Sequence, residues 1–362
     1  MNSLPTKTWR LLDTGLRRAG ENIALNRTLL ESHQAGHSPN TLRFLRFYPS
    51  ALAGYHQDID DVIHQDYCRQ RGIEVQRRIT GGGAIFFHEM QLGWELYVHK
   101  KVFNSGDMQH ISQRICEAAA VALRSLGVEA HFRPRNDIEV GGRKISGTGG
   151  AFDGDSLLYQ GTLLISFDAG EMLKILRVPQ AKNAHRAIKS IQDRIITMEE
   201  ILTTVPDFAV IQNAFRHSFS QAFAVKFEPA QLNEYEQQQY ATILTEIDDP
   251  QWIYLVQKPR PFPDAKQGFY RATGGMIHVD LCLSGDGQHV EQIWITGDFF
   301  VHPKRIIFDL ETHLKSVSLK KLGPAIRQFF SQTQGDLLML EPDDFVKAVE
   351  NSLTVVSADI NP

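Results

Sequence analysis

Between residues 74 and 168 the chain is a succession of β-favouring apolar runs cut by glycines, with one strong helix among them. That pattern limits the fold more than any other feature. Strands joined by tight glycine turns pair antiparallel, and the steady strand–helix alternation of a doubly wound parallel sheet is absent. EVQRRITGGGAIFFHEMQLGWELYVHK reads as strand-like stretches around a glycine loop, and VEAHFRPRNDIEVGGRKISGTGGAFDGDSLLYQGTLLISFD as short strands alternating with glycine turns. The helix between them, MQHISQRICEAAAVALRSLG, carries Ile111, Ile115, Ala118, Ala119, Leu123 and Leu126 on one face and stops at Gly127. The expected class is α+β, with mixed, mainly antiparallel sheets flanked by helices.

The flanks add to this. Residues 21–33 have apolar positions at helical spacing. TLRFLRFYPSALAGYHQ reads as a strand, a turn at Pro49 and a second strand ending near Gly54, and DIDDVIHQDYCRQRG as a helix closed by Gly72. Residues 171–250 are mostly helical and polar, and the junction IDDPQW marks a boundary. With 362 residues, more than one core usually serves, two domains are expected, 1–248 and 249–362. The second opens on a hairpin with a GDG turn and ends in helices.

A formal net charge of −4 with 22% charged residues gives no overall pull toward nucleic acid or an anionic membrane, so any basic site is local. Cys68, Cys116 and Cys282 lie far apart, without metal or disulfide spacing, and read as free thiols in a reducing compartment. MNSLPTKTWR has no apolar leader and no stretch approaches a membrane span, so the expected location is cytoplasmic.

Two motifs carry chemistry. In RRITGGGAIFFH, glycines without Cβ atoms let backbone N–H groups approach an anion, and Arg77 and Arg78 bring positive charge beside them. The bland alternative is a tight turn before a strand; neither a Walker A motif nor GxGxxG is present. In NDIEVGGRKISGTGGAF, Lys144 enters a second loop, 147–150, and suits a phosphate or carbonyl oxygen, against the alternative of a solvated side chain. Asn136 and Asp137 upstream could bind a nucleotide or metal. Gly161 interrupts an otherwise good strand, which implies a bulge or a close neighbour.

RRITGGGAIFFHE, NDIEVGGRKISGTGGAF and YQGTLLISFD, in this order and spacing, resemble the lipoate–protein ligase branch of the biotin/lipoate ligase and octanoyltransferase superfamily. The opening WRLLDTGLRRAGENIALNRTLLE, with FYPSALAGYHQ, and the later AIKSIQDRII are similar as well, so the likeness covers most of the chain. The resemblance implies a class II synthetase-like catalytic domain with a smaller C-terminal α/β accessory domain. It implies ATP and Mg2+ as cofactors, with lipoate or octanoate activated as an acyl-adenylate and passed to one lysine of an acceptor. The acceptor would be a 2-oxoacid dehydrogenase lipoyl domain, a glycine-cleavage carrier or a carrier of similar shape. Carried over by motif, Lys144 is the catalytic lysine. Arg78 matches the family's arginine two places before the Thr of the glycine motif, and Thr80, Gly81, Gly82, Gly83 and Ala84 would form the acyl and phosphate floor. Asn136 and Asp137 lie near the adenylate, with Asp137 on Mg2+; Ser146, Gly147, Thr148, Gly161 and Thr162 line the acyl side.

The chain departs from the family pattern in places. Phe86–Phe87–His88–Glu89 stands where Phe-His-Asp is usual, so His88 takes no assigned role; Tyr159–Gln160–Gly161 stands for HHG, and Gly149 for an alanine. Rival readings are an octanoyltransferase, a biotin ligase and a non-catalytic binder of lipoyl carriers. The first needs a nucleophilic cysteine, and none lies between Cys116 and Cys282. The second lacks its GRGRxG-type loop, and the third does not need Lys144.

Overall fold

The computed structural model describes residues 7–105, 107–134, 136–178, 184–259 and 265–354; residues 1–6, on which the expectation of no apolar leader partly rests, lie outside these. Along the chain, β1 (Lys7–Arg17), α1 (Ala19–Gln34), β2 (Thr41–Phe47) and β3 (Ser50–Ala53) come first. The helix expected over 58–72 is two short ones, α2 (Ile59–Val62) and α3 (Gln65–Arg71), because the backbone is extended at Ile63. Gly72 closes α3 at φ +66, where a Cβ is disfavoured. β4 (Glu74–Arg77), β5 (Ile85–Phe87), β6 (Gln91–His99) and α4 (Met108–Ser125) follow. Next come β7 (His131–Arg133), β8 (Asp137–Val140), β9 (Arg143–Asp153) and β10 (Ser156–Leu164). Then α5 (Ala169–Ile175), α6 (Ala184–Gln192), α7 (Met198–Ile201), α8 (Phe208–Phe223), β11 (Val225–Pro229), α9 (Glu234–Ile247) and α10 (Pro250–Ile253).

The chain divides into two compact units, Met1–Leu52 with His64–Gln76 and Phe86–Ile253, and Ala53–Ile63 with Arg77–Ile85 and Tyr254–Pro362. The boundary expected at 248/249 falls between α9 and α10. Sequence reading did not show that two short early segments, 53–63 and 77–85, pack with the C-terminal residues.

In the first unit an eight-stranded sheet runs β11-β1-β2-β6-β10-β9-β8-β7. β1 is parallel to both its neighbours and the remaining pairs are antiparallel. α4 and α8 pack on one face. There Ile111, Ile115, Ala118, Ala119 and Leu123 of the expected helix face are buried with Leu42, Phe44, Leu92, Trp94, Phe215 and Phe219. Each large apolar side chain so removed from water contributes about 1.5–3 kcal/mol. α1 packs against strands β2, β6, β9 and β10. One expectation is corrected here: residues 147–150 are not a loop but the middle of the eleven-residue strand β9. Glycine persists in that strand because neighbours need the room; a Cβ at Gly150 would lie 2.8 Å from the Tyr159 ring.

In the second unit β12 (Lys266–Ala272), β13 (Gly275–Leu283) and β14 (Val290–Gly297) form an antiparallel sheet. The expected GDG turn joins the last two strands, with Gly287 at φ +65. α11 (Ile306–Leu314), α12 (Leu322–Gln332) and α13 (Pro342–Thr354) complete a core containing Ile277, Leu281, Ile293, Leu310 and Phe345. Among the described residues no helix is long and apolar enough to cross a membrane.

Candidate active site

Lys144 owes its surroundings to a break in strand register. Asp137 stands opposite Gly147, Ile138 opposite Ser146, and Glu139 opposite Lys144, which leaves Ile145 unmatched as a β-bulge. Asp137 and Glu139 are two apart and share a face of β8. Their partners Gly147 and Lys144 therefore share a face too, although three residues apart in a regular strand they would point oppositely. Ile145 and Ser146 are both buried as a result. On the shared face the Lys144 ammonium lies 2.7 Å from Asp137 Oδ1, with the lysine side chain 38% exposed. The Lys144 backbone is fixed from the other side: its N–H donates to the Arg194 carbonyl at 2.8 Å, and its carbonyl accepts from the Ile196 N–H at 2.9 Å. Thr162 pairs with Gly147 in register and belongs to the same face.

Ser146, Thr148 and Gly161 turn the other way, toward the helices. Ser146 pairs with Leu163, and Thr148 with Gly161. The Ser146 hydroxyl is buried and has no hydrogen-bond partner among the described residues. The Thr148 hydroxyl donates to the Asn136 carbonyl at 2.7 Å, and it lies 2.7 Å from the Tyr159 hydroxyl and 3.4 Å from Cys116 Sγ. The Asn136 amide in turn donates to the Thr148 carbonyl at 2.5 Å, so this side chain secures the β7–β8 turn against β9. Gly161 makes no bulge, since its pairing with both neighbouring strands is regular. It lies opposite Trp94, and a Cβ there would come within 2.0 Å of the indole. Toward Lys144 these three positions offer backbone alone.

Cys116 is sealed in that core. Burial pushes its thiol up, against the hydrogen bonds from Thr148 and Tyr159 that oppose the shift. Burial also pushes Cys68 up to about 11.

On the face of Lys144, sequence reading missed a polar network. Arg43 and Glu95, both buried, pair at 3.0 Å. Glu95 also accepts from the Asn26 amide at 2.6 Å, the Tyr97 hydroxyl at 2.6 Å and the Gln160 amide at 2.8 Å. A buried ion pair is tolerated when its remaining hydrogen-bonding capacity is filled in this way. Gln160, in place of the family's histidine, is thus tied to a buried carboxylate that gave no local signal in the sequence.

The triple glycine lies in the second unit and is built differently. Arg77 is fully buried, and one of its nitrogens donates to the carbonyls of Gly54, Tyr55 and Gln57 at 3.0, 2.8 and 2.7 Å. Arg78 donates to the carbonyls of Gly81 and Gly83 at 3.0 and 2.8 Å. Burial lowers both guanidiniums to about 10, which leaves them charged at neutral pH. The Thr80 carbonyl accepts from the Tyr55 N–H. The glycines answer to packing: a Cβ at Gly81 would meet the Phe299 carbonyl at 2.3 Å, and one at Gly82, where φ is +91, the Phe300 ring at 3.1 Å. Gly83 has Asp298 nearest, at 3.8 Å from its ideal Cβ, and Ala84 is half-buried. The two arginines therefore organise their own bend, where the sequence suggested that they offset a ligand's charge.

The donor set does not fit a protein-held Mg2+. Asp137 already faces the Lys144 ammonium, and among the described residues no group of three or more His, Cys, Asp or Glu could hold a metal ion.

Comparison with known proteins adds the following. Residues 18–220 match the family model for the lipoyl protein ligase A/B catalytic domain. The chain is 25% identical over 271 residues to octanoyltransferase LipM of Moorella thermoacetica, covering 69% of this chain and 99% of that protein. It is 32% identical over 184 residues to lipoate–protein ligase 1 of Staphylococcus aureus, covering 50% of this chain and 53% of that one. The crystal structure of P. falciparum LipL1 in complex with lipoate superposes with a TM-score of 0.71 at 18% identity, over 91% of this chain and 95% of that one. At that identity the likeness speaks for the fold.

Proposed function

Since the chain belongs to the lipoyl protein ligase A/B catalytic-domain family, we propose that it is an ATP-dependent lipoate–protein ligase. In the first step a carboxylate oxygen of lipoate or octanoate bonds to the α-phosphorus of ATP, and pyrophosphate leaves. In the second, the ε-amine of an acceptor-domain lysine bonds to the acyl carbon, AMP leaves, and the amine gives up a proton. Lys144 is the catalytic residue of this reading. Its ammonium stabilises charge developing on the carbonyl and phosphate oxygens, and such preorganised donors supply much of the rate in acyl transfer. Mg2+ would come with the nucleotide and help to neutralise its phosphates; no step here is assigned to it. Residues 249–362 serve as the accessory domain, and the acceptor is a lipoyl domain or a carrier of that shape.

The observation that carries the choice between ligase and transferase is the contrast of Cys116 with Lys144. A thioester route needs a thiolate within reach of the acyl group. Cys116, close to Thr148 and Tyr159, is fully buried with its thiol pushed up, whereas Lys144 lies on a partly open face.

The test supplies purified protein with ATP, Mg2+ and either lipoate or octanoate, and reads pyrophosphate release and the mass of a panel of apo-carrier domains. Acid-dependent pyrophosphate release with one acyl addition per carrier is expected. Octanoyl transfer from acyl carrier protein without ATP, blocked by thiol alkylation, would replace this reading with the transferase.

A further inference from the structure

We propose that Asp137 is the positioning residue for the Lys144 ammonium, with Gly147 giving it room, and that Asp137 is not a magnesium ligand. The proposal rests on the ligase reading, in which Lys144 acts on the reacting group. Three observations carry it.

The bulge at Ile145 brings Lys144 onto the face of Asp137, and the two groups meet at 2.7 Å. A register device that serves one lysine is more than a surface coincidence, because without it the ammonium would leave on the opposite face.

Gly147 lies under the lysine stem. A Cβ there would fall 2.7 Å from both Lys144 Cε and Nζ and meets nothing else within 4 Å. The backbone at Gly147 has an ordinary φ, so what the glycine provides is clearance for this one side chain.

The backbone of Lys144 is held by Arg194 and Ile196, and the β7–β8 turn by the Asn136 amide. Both ends of the pair are thus anchored, and the freedom left is that of the long lysine side chain, which carries considerable rotamer entropy. An opposite charge at a fixed place narrows that freedom before substrate arrives. A dication on the same carboxylate would instead repel the ammonium and release it.

The experiment uses the full chain and four variants, Asp137→Asn, Gly147→Ala, Lys144→Ala and the double Asp137→Asn/Lys144→Ala. Asn is isosteric with Asp, and the Gly147→Ala clash is with the movable end of one side chain, so both folds should survive, as thermal melting will show. In pyrophosphate release, Asp137→Asn and Gly147→Ala are each expected to lower kcat about ten- to a hundredfold, the scale of a displaced catalytic group. The KM for ATP and the half-saturating Mg2+ concentration should not move. The double variant should be no slower than Lys144→Ala, since the aspartate acts only through the lysine. A severalfold rise in half-saturating Mg2+ for Asp137→Asn, or a further loss in the double variant, would overturn the proposal.

Two readouts are independent of activity and separate this idea from the ligase reading. Acetic anhydride labelling of Lys144, followed by peptide mass spectrometry at fixed pH, should quicken severalfold in Asp137→Asn and Gly147→Ala. Mn2+ added without nucleotide should bind wild type and Asp137→Asn alike. Unchanged labelling, or Mn2+ binding lost with the carboxylate, sinks the positioning role even if the protein is a ligase. Absence of pyrophosphate release from wild type, with labelling quickened as expected, sinks the ligase reading and leaves the positioning intact.

Discussion

Arg78 and Lys144 each stand beside glycines, and they end in opposite circumstances. The Arg78 guanidinium turns back on its own bend and holds the carbonyls of Gly81 and Gly83, while Arg77 does the same for Gly54, Tyr55 and Gln57. Lys144 makes its contact with one carboxylate on a partly open face, and a Cβ at the nearby Gly147 would clash with its stem. In the bend, basic side chains and glycines stabilise local structure. In the strand, on the reading proposed above, they prepare a cation for chemistry. A positive charge near glycine is therefore no measure of positive charge available to a ligand; the count of carbonyls already bound to it is.

Stability measurements can break this contrast. Arg77→Met should show the largest effect, since three backbone carbonyls lose their donor, those of Gly54 and Gln57 buried; a loss of about 3 kcal/mol is expected in urea unfolding. A shift indistinguishable from zero would mean that the bend does not depend on its arginine. Gly82→Ala comes next, at about 1–2 kcal/mol, because φ is +91 and the Phe300 ring leaves a Cβ little room. Smallest is Lys144→Met, within about 1 kcal/mol as for other partly exposed ion pairs, yet with pyrophosphate release lowered as far as in Lys144→Ala. Equal destabilisation by Lys144→Met and Arg77→Met would erase the distinction between building and preparing.

Much of the frame was legible. The apolar face of α4 repeats at 3.6 residues, and those positions are the buried ones. Gly72 and the GDG turn mark places where φ must be positive, which no other residue takes as readily. Residues 147–150 read as a loop, although they are the middle of β9, because their glycines weaken the local strand signal. Their reason lies on neighbouring strands: Tyr159 beside Gly150, as Trp94 is beside Gly161 on β10. The candidate site was legible as motifs, but not in its sides. Thr148 and Lys144 are four residues apart and face opposite ways, since one unmatched residue shifts the alternation between them.

The amino-acid order alone determined most of the strands, helices and turns, though not the strand at 147–150 or the break at Ile63, and singled out Lys144, Asp137 and the glycines as the residues to watch. Those properties depend on neighbours within a few positions, where periodicity and backbone preference act. Only the tertiary structure decided which cations are already spent on carbonyls, which glycines make room for a side chain, and which thiol is sealed away. Arg77 meets carbonyls 20 to 23 residues back, Cys116 lies against Tyr159 of another strand, and even the short reach from Lys144 to Gly147 depends on a strand register that no local pattern encodes.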